Sequence, residues 1–568
     1  MPVPPDHGRV RTRLPVRRGQ IVAAQVALVM AVAGGGRPGA VLAGGVLLAA
    51  AFARPRQRWL YEWLRSVAAM AARRGKAPAG TGTDALVTLA RPGVRLAAEG
   101  DGPDAAFRDP YGVSAVLEVG EAVSGASRPV RVPTGGLPDL GAATHLLARG
   151  SAPPAGTDPP ATSYRALTGG GAVTALRLLL VVRVPAGGDV AAVVRAVRQR
   201  LAPLALVARG PDAVRRAVGE FGYRAPVHEG WTSVQAGGQR HVTYRIAGPG
   251  GQPERLVPHL LALPAAITVV AAGPGAVTVR TATDPPGEPR RVDAALARLL
   301  AGGPEVPLRL DGGHLPGMAA TLPLPDPYAV PGRSGPVVPV GPAGLMLGRD
   351  RHGSRVLLPL FGPRPVRVVL AGGLALAVLL AWRGLGAGAR VVVHTGRPAA
   401  WTPLIRAAAG CPPVLVELGR TPAAATGATA TVPDPPVLHL VDDGHWTADP
   451  PGDHWHAVVT LRERPGSGDV GRLARADLVM AGSLDDRAAT LVSAALGLGR
   501  RAGQLRETGA EELVTVCRGE IHRSRSCPTP AERALLAALE VHTGQLPAGA
   551  GYSGDRASMG GSRAWDSS

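Results

Sequence analysis

The sequence predicts an N-terminal two-helix transmembrane hairpin and a cytoplasmic α+β region that ends in an α/β (degenerate Rossmann-like) sheet domain. Three observations predict this class. Two uncharged apolar runs, 19–36 and 39–53, lie next to each other near the start of the chain. The segments 84–302 and 344–542 mix apolar strand patterns with amphipathic helix patterns. The 568 residues are 46% hydrophobic, which is typical of a folded chain with several domains.

Length and flanking charge predict the hairpin, 19–53. As helices the two runs reach roughly 27 and 22 Å, and Arg37-Pro38 between them favours a tight turn. Arginines crowd the basic tail, 1–18, and follow the second run, whereas the turn carries one. The positive-inside rule therefore predicts a plasma-membrane protein with two spans and with its N- and C-termini in the cytoplasm. A signal peptide cleaved near Ala31-Val32-Ala33 is the alternative.

The net charge of +20 does not predict a nucleic-acid surface. Residues 1–76 hold 13 Lys and Arg against 2 Asp and Glu, so this short segment carries more than half of the excess. No basic stripe interleaved with aromatic residues follows it. The three cysteines, Cys411, Cys517 and Cys527, are too few for a disulfide framework and suit a reducing compartment.

The segment 54–76 is predicted to be a juxtamembrane amphipathic helix, because Leu60, Leu64 and Val67 recur at helical spacing. A plain extension of the second span is the alternative. Two sets of residues follow from the amphipathic interpretation: a partner-docking set, Trp59, Leu60, Trp63 and Leu64, and a membrane-interface set, Arg54, Arg56, Arg58 and Tyr61.

Strand and helix patterns also divide the remainder of the chain. Within 84–302 we expect a first strand at Leu86–Leu89 and a long Pro/Gly-rich loop at 128–172. A Pro/Gly-rich linker at 303–343 leads to the α/β domain, 344–542, and a disordered tail, 543–568, ends the chain. The elements expected between these connections are strands at 114–119, 176–184, 241–246, 267–271, 276–281, 366–370, 389–394, 414–418, 436–441, 457–461, 476–481 and 512–517, and helices at 189–201, 211–221, 253–263, 291–301, 374–383, 401–409, 485–498 and 529–542.

No motif predicts catalysis or a cofactor. The turn at Gly372-Gly373 lacks the G-x-G-x-x-G and G-x-x-x-x-G-K-[ST] patterns of nucleotide sites. The acids at the end of strand 436–441 resemble those of Mg²⁺-binding ATPases, but no phosphate-binding loop accompanies them. They belong to a cluster with two interpretations, a metal site or an ordinary exposed loop: His439, Asp442, Asp443, His445, His454 and His456.

Five segments carry a family resemblance. They are RQRWLYEWL (56–64), QRHVTYRI (239–246), LVPHLLALP (256–264), GLMLGRDRHGSRVLLPLFGP (344–363) and LGAGARVVVHTGR (385–397). In this order they resemble EccE, an actinobacterial membrane component of type VII secretion systems. The resemblance implies a non-enzymatic structural subunit of the plasma-membrane type VII protein secretion complex. It implies as partners the EccB, EccC ATPase and EccD subunits and the lipid bilayer, with no nucleic acid. The alternative is a membrane-tethered regulatory or metal/nucleotide-binding module of another pathway.

Overall fold

The computed structural model contains helices, two β-sheets and their connections. The residues that it describes are 18–35, 37–53, 60–74, 82–97, 104–120, 129–154, 156–222, 227–247, 252–273, 276–283, 288–326, 334–362, 364–409, 414–417, 435–442, 455–506, 512–517 and 519–545. The predicted basic tail thus lies outside these residues except for Arg18, and the predicted C-terminal tail except for 543–545.

The chain forms two compact units, and the first consists of Met1–Pro78, Glu229–Thr232 and Asp311–Gly313. Two of its helices, α1 (Arg18–Ala33) and α2 (Pro38–Phe52), pack as a hairpin. They approach closely because a Cβ atom on Gly44 would lie 2.9 Å from the carbonyl oxygen of Ala27. The third helix, α3, spans Leu60–Arg74.

The structure corrects the predicted membrane topology. The hairpin forms, but α1 has 16 residues and α2 has 15, because the turn at Gly34–Gly35 ends α1 and Pro38 starts α2. Among the described residues, no helix has the length and apolar character needed to cross a membrane. The prediction of a transmembrane hairpin, and with it the predicted fold class and two-span plasma-membrane localisation, is therefore wrong.

Helix α3 contacts the two short loop segments of the first unit. Trp63 meets Trp231 edge-on, with 6.0 Å between the ring centroids. Arg73 donates to both carboxylate oxygens of Glu229, at 3.0 and 2.9 Å, and to the carbonyl oxygen of Gly312 at 2.8 Å. One apolar and one charged contact thus fix α3 within this unit.

The second unit, Ala79–His228, Ser233–Leu310 and His314–Ser568, contains both sheets. The first sheet is antiparallel, with the order β1-β2-β3-β6-β5-β11-β12-β10-β9-β8. Beside this path, β13 pairs with β10, β7 with β3, and β4 with both β5 and β14. Its strands are β1 (Arg95–Leu96), β2 (Phe107–Asp109), β3 (Gly112–Glu118), β4 (Val130–Leu137), β5 (Ala142–Ser151), β6 (Ala175–Pro185), β7 (Val207–Ala208), β8 (Val227–Glu229), β9 (Val234–Ala236), β10 (Gln239–Ala247), β11 (Ile267–Gly273), β12 (Ala276–Thr283), β13 (Val306–Arg309) and β14 (Ser334–Val340).

Helices cover both faces of this sheet. The run Leu178–Val182 of β6 alternates between two cores, with Leu178, Leu180 and Val182 in one and Leu179 and Val181 in the other. A strand buried on both faces is apolar at every position, which explains the continuous apolar run. The helices of this region are α4 (Thr83–Ala90), α5 (Pro159–Thr168), α6 (Val190–Arg200), α7 (Pro211–Gly222), α8 (Val257–Leu261), α9 (Glu288–Leu299) and α10 (His314–Ala320).

The second sheet is mixed, with the order β16-β15-β24-β23-β22-β17-β21-β20-β18-β19. The strands from β17 to β22 are parallel, and their order differs from that of the Rossmann fold, which the predicted degenerate Rossmann-like domain resembles. Its strands are β15 (Leu345–Arg349), β16 (Arg355–Leu358), β17 (Val366–Ala371), β18 (Arg390–His394), β19 (Val414–Glu417), β20 (Val437–Val441), β21 (His456–Arg462), β22 (Leu478–Ala481), β23 (Glu512–Cys517) and β24 (Glu520–Arg525). The helices are α11 (Leu374–Gly386), α12 (Thr402–Ala407), α13 (Val470–Arg475), α14 (Asp486–Ala495), α15 (Gly503–Arg506) and α16 (Pro530–Gln545).

Three expectations for the α+β region are corrected. Residues 86–89 lie in helix α4, whose buried Leu86 and Val87 face the sheet. The expected loop 128–172 contains β4, β5 and α5. The expected linker 303–343 contains β13, α10 and β14, and β14 pairs with β4. Sequence patterns missed these elements because their Gly, Pro and Thr residues are turn formers, and distant partners stabilise the strands instead.

A buried ion pair joins α11 and α16. Nε and Nη2 of Arg383 donate to the two carboxylate oxygens of Glu532 at 2.8 and 3.0 Å, and the side chains are 1% and 0% exposed. Nη1 of Arg383 donates to the carbonyl oxygens of Met346 and Leu347 on β15. Glu532 also forms a capping box with Thr529 at the start of α16. Every charge of the pair is therefore compensated inside the core.

We expect Glu532→Gln to lower the free energy of unfolding by about 3–5 kcal/mol, because it leaves the buried Arg383 charge uncompensated while a glutamine still suits the capping box. Denaturant unfolding measures the loss. The matched control is Glu520→Gln, which removes an exposed ion pair with Arg501 and should cost less than about 1 kcal/mol. The double variant Arg383→Met/Glu532→Gln should lose less than the single one. A larger loss in the double variant would contradict the role assigned to the uncompensated charge.

Candidate functional site

The carboxyl ends of the parallel strands in the second sheet form the candidate functional site. The chain leaves β17 towards β18 and β19 and then returns through β20 and β21 to β22 on the far side of β17. The neighbours β17 and β21 are thus followed by connections that run in opposite directions, and so are β18 and β20. In open α/β sheets, ligands bind at such points. We call this region the carboxyl-edge site.

The turn between β17 and α11 lacks the longer loop that surrounds the phosphates in P-loop proteins. Only Gly372 and Gly373 separate Ala371 from Leu374, whereas a P-loop places several backbone N–H groups around the phosphates. The N–H of Gly372 donates to the carbonyl oxygen of Arg462 on β21 at 3.0 Å. This turn therefore connects strand and helix directly.

Asp442, directly after β20, is bound by side chains from the neighbouring β18 connection. Its Oδ2 accepts hydrogen bonds from Oγ1 of Thr395 at 3.0 Å, from Nε of Arg397 at 2.9 Å and from Nε1 of Trp401 at 2.9 Å. Its Oδ1 accepts from Nη2 of Arg397 at 2.7 Å. Three of these four bonds converge on Oδ2, which saturates this oxygen, and the side chain is only 3% exposed. The acid that the sequence compared with a Mg²⁺ ligand is therefore occupied by its own chain.

Arg397 also reaches the next strand. Its Nη2 donates to Oε1 of Glu463, just after β21, at 2.6 Å. The hydrogen bonds that Arg397 donates to Asp442 raise the pKa of Arg397 above its usual value, against the opposing effect of burial, and Glu463 adds to the rise. One guanidinium group thus joins the ends of β20 and β21.

Three histidines form a row across β18, β20 and β21. The rings of His394 and His439 are nearly parallel, with 3.2 Å between Nε2 and Nδ1, and those of His439 and His456 repeat this arrangement at 3.3 Å. Burial lowers the pKa of His439 to about 3, and the neighbouring His456, His394 and Arg390 add to the decrease. The central ring is therefore neutral and can accept one hydrogen bond while donating another.

The structure places two residues of the predicted cluster in contact, His439 and His456, whereas Asp442 binds Thr395, Arg397 and Trp401. The other three, Asp443, His445 and His454, lie outside the described residues. Within the part of the chain that the structure describes, no three His, Cys, Asp or Glu side chains are arranged to hold a metal ion. The facing nitrogens of the histidine row explain this, because they point at one another rather than at a common centre.

The predicted docking and interface residues belong to the first unit. Trp63 contacts Trp231 of its own chain, Leu60 is partly buried, and Leu64 is 50% exposed. A docking role for them stays a prediction. The remaining residues of the two sets lie outside the described residues, Tyr61 by its side chain and the others entirely: Trp59, Arg54, Arg56 and Arg58.

Sequence analysis did not identify His394, Thr395, Arg397 and Trp401 as part of the site. All four lie at or shortly after the end of the predicted strand 389–394. The rule that sites form at the carboxyl ends of parallel strands would have selected this segment. Their common target, Asp442, could not be inferred without the strand order.

Comparisons with known proteins give little further information. No protein-family model matches the chain, and no curated protein matches it. Among solved structures, the chain is similar to the genome packaging NTPase B204 from Sulfolobus turreted icosahedral virus 2. In the complex with AMPPCP the two are 8% identical, the match covers 29% of this chain and 99% of the NTPase, and the TM-score is 0.23. For the complex with ATP-gammaS the values are 8%, 29%, 98% and 0.21. At these TM-scores the likeness carries no functional conclusion.

We expect Asp442→Asn to lower the free energy of unfolding by about 2–3 kcal/mol. One of the two carboxylate oxygens becomes an NH2 group, which cannot accept a hydrogen bond from Arg397 or Trp401. Urea unfolding measures the change. The control is Glu463→Gln, which alters a half-exposed partner of the same arginine and should cost less than about 1 kcal/mol. Equal losses in the two variants would contradict the central role of Asp442.

The histidine row should make stability depend on pH. The folded pKa of His439 lies below its unfolded value of 6.5, so the unfolded chain binds the proton more readily. This contribution to stability is complete above about pH 6.5 and is lost as the pH falls towards the folded value. Between about pH 7.5 and pH 5 the wild type should lose about 2 kcal/mol more than His439→Gln.

Unfolding of both proteins at the two pH values measures this difference. His352→Gln, in an exposed turn, is the control and should keep the pH dependence of the wild type. If His439→Gln also keeps that dependence, the row does not titrate as described.

Proposed function

We propose that the chain is a non-enzymatic structural subunit of a type VII protein secretion complex. The observation that carries the non-enzymatic part is the occupation of the carboxyl-edge site by its own side chains. Asp442 is bound by Thr395, Arg397 and Trp401, and the turn at Gly372-Gly373 lacks a P-loop. A sheet with this strand arrangement then serves as a scaffold rather than as a nucleotide site.

The sequence resemblance supports the secretion complex as the place where the scaffold works. The five resembling segments extend from the start of α3 to the end of β18, so both units contribute to the resemblance. As the resemblance implies, EccB, EccC and EccD are the expected partners, and the EccC ATPase supplies the energy of export. The chain itself then contributes contact surfaces.

Among the described residues, most of the exposed large apolar side chains lie in the first unit, which therefore offers a contact surface for these partners. Exposed apolar side chains of this extent commonly mark protein interaction sites. Leu64 extends the set from α3, on a helix that Trp63 and Arg73 hold in place. The exposed large apolar residues of α1 and α2 are Ile21, Val22, Val26, Leu28, Val29, Met30, Val32, Val41, Leu42, Val46, Leu48 and Phe52.

The test is co-purification of the tagged full chain from its native cells, with quantification of EccB, EccC and EccD by mass spectrometry. We expect Leu64→Glu to reduce their recovery roughly tenfold, because a charge placed in an apolar contact weakens binding by more than about 1.4 kcal/mol. Leu308→Glu is the control, since Leu308 is 45% exposed on β13 in the second unit.

Two results would contradict separate parts of the proposal. Absence of the three partners from the wild-type preparation would contradict membership of the secretion complex. Saturable binding of Mg²⁺-ATP to the purified chain, measured by calorimetry, would contradict the non-enzymatic scaffold. Equal recovery with Leu64→Glu and Leu308→Glu would remove α3 from the contact surface.

A further inference from the structure

Three arginines lie side by side on neighbouring strands at one end of the second sheet. Arg349 on β15 pairs with Arg355 on β16 and also with Arg525 on β24. Directly paired residues of antiparallel strands have Cα atoms about 4.5–5.5 Å apart and side chains on the same face. The three guanidinium groups therefore share one face of the sheet. We call them the arginine row.

The row has no carboxylate partner at ion-pair distance among the residues that the structure describes. Nη1 of Arg349 donates to the carbonyl oxygen of Gly353, and Nη1 of Arg355 to that of Gly171, both at 2.9 Å. Carbonyl oxygens carry no net charge, so they orient the arginines without neutralising them. Arg351 in the adjoining turn adds a further exposed positive charge.

Two acids lie close to the row. Glu512 on β23 pairs with Arg525 at the end of the row, on the side away from Arg349. The Oδ1 atom of Asp350 accepts from the backbone N–H groups of His352 and Ser354, which fixes the turn between β15 and β16. The positive charge of the row thus exceeds the negative charge around it.

Like charges at directly paired positions destabilise a sheet. The row pairs two such positions in succession, so the isolated protein carries this repulsion without a local gain. An anionic partner that lies along the row would offset the repulsion between the arginines by its own attraction to them. The row therefore has the charge pattern of a binding surface rather than of a stabilising surface network.

The sheet edge indicates which anionic partner fits. β16 is the last strand of the second sheet in the described residues, and its partner β15 lies on one side only. An edge strand presents backbone N–H and C=O groups that another polypeptide strand can pair with. From the charge and the edge together, we propose that an acidic segment of another protein binds as an added strand beside β16, with its carboxylates over the arginine row.

Nucleic acid fits this surface less well. The row crosses three strands, which at about 4.8 Å per strand is about 10 Å, and β15, β16 and β24 contain no Phe, Tyr or Trp for base stacking. A polypeptide uses both features of the surface, the charges and the edge. The proposal does not depend on the secretion complex, because any protein with a suitable acidic segment meets its requirements.

The test measures fluorescence anisotropy of a short labelled peptide of alternating Glu and Val as the full chain is added. The control peptide has the same number of Glu residues, with Pro in place of Val, so it keeps the charge but cannot extend a sheet. We expect saturable binding of the first peptide only, weakened when salt is raised from about 0.05 to about 0.5 M. The variant Arg349→Gln/Arg525→Gln should weaken it at least about fivefold.

The matched control variant is Arg475→Gln/Arg487→Gln, which removes two exposed charges from α13 and α14 and should bind like the wild type. The melting temperature of the row variant should stay equal or rise, because the repulsion is removed. A lower melting temperature would overturn the inferred repulsion. Four results would each overturn the proposal that an acidic strand binds beside β16. They are equal binding of both peptides, tighter binding of a DNA duplex, an unchanged affinity of the row variant, and no binding of the alternating peptide.

Discussion

The second sheet depends on one buried interaction, the ion pair between Arg383 and Glu532. It connects the first crossover helix of the sheet, its last helix and, through two carbonyl oxygens, strand β15. A charge in this position is tolerated only while every partner stays in place, so the pair fixes three elements from distant parts of the chain at once. The ion pair thus contributes more to the relative positions of these elements than to net stability.

The same packing places α5 in the core of the second sheet, although its neighbours in the chain belong to the first. Tyr164 of α5 accepts a hydrogen bond from the backbone N–H of Met346 on β15 at 2.9 Å, and burial raises its pKa to about 12. A Cβ atom on Gly386 would lie 2.5 Å from the carbonyl oxygen of Pro160, so only glycine permits this approach. Helix α5 is thus one of the elements that join the two sheets into one compact unit, beside contacts such as that of Arg149 on β5 with the ring of Trp455.

Some elements of the fold were predicted from the sequence and others were not, and each outcome has a physical reason. Strands β17, β18, β20 and β21 lie close to their predicted positions, because buried parallel strands form nearly continuous apolar runs. Strand β4 was not predicted, because its pairing partner β14 is far away in sequence. Hydrophobicity indicated the two N-terminal helices, but it did not reveal that a glycine turn and Pro38 make each of them too short to span a membrane.

Some residues of the candidate site were likewise predicted from the sequence and others were not. The sequence pointed to His439, Asp442 and His456, because titratable residues after an apolar strand are conspicuous. Arg397 and Trp401, which decide what Asp442 can do, were not identified, because their contact with it depends on β18 and β20 being neighbours. Strand order is a property of the whole sheet, and hydrophobic periodicity carries no information on it.

The pairing of β15 with β24 has a consequence for how the chain folds during synthesis. β15 opens the second sheet and β24 closes it, so the contact between Arg349 and Arg525 joins the two ends of this region. A ribosome must deliver nearly the entire chain before β15 gains its second neighbour, and contacts of such large sequence separation form slowly. Until then the nascent hairpin β15–β16 lacks the second neighbour of β15, and the paired Arg349 and Arg355 place on it the kind of charge that disfavours pairing between exposed edges.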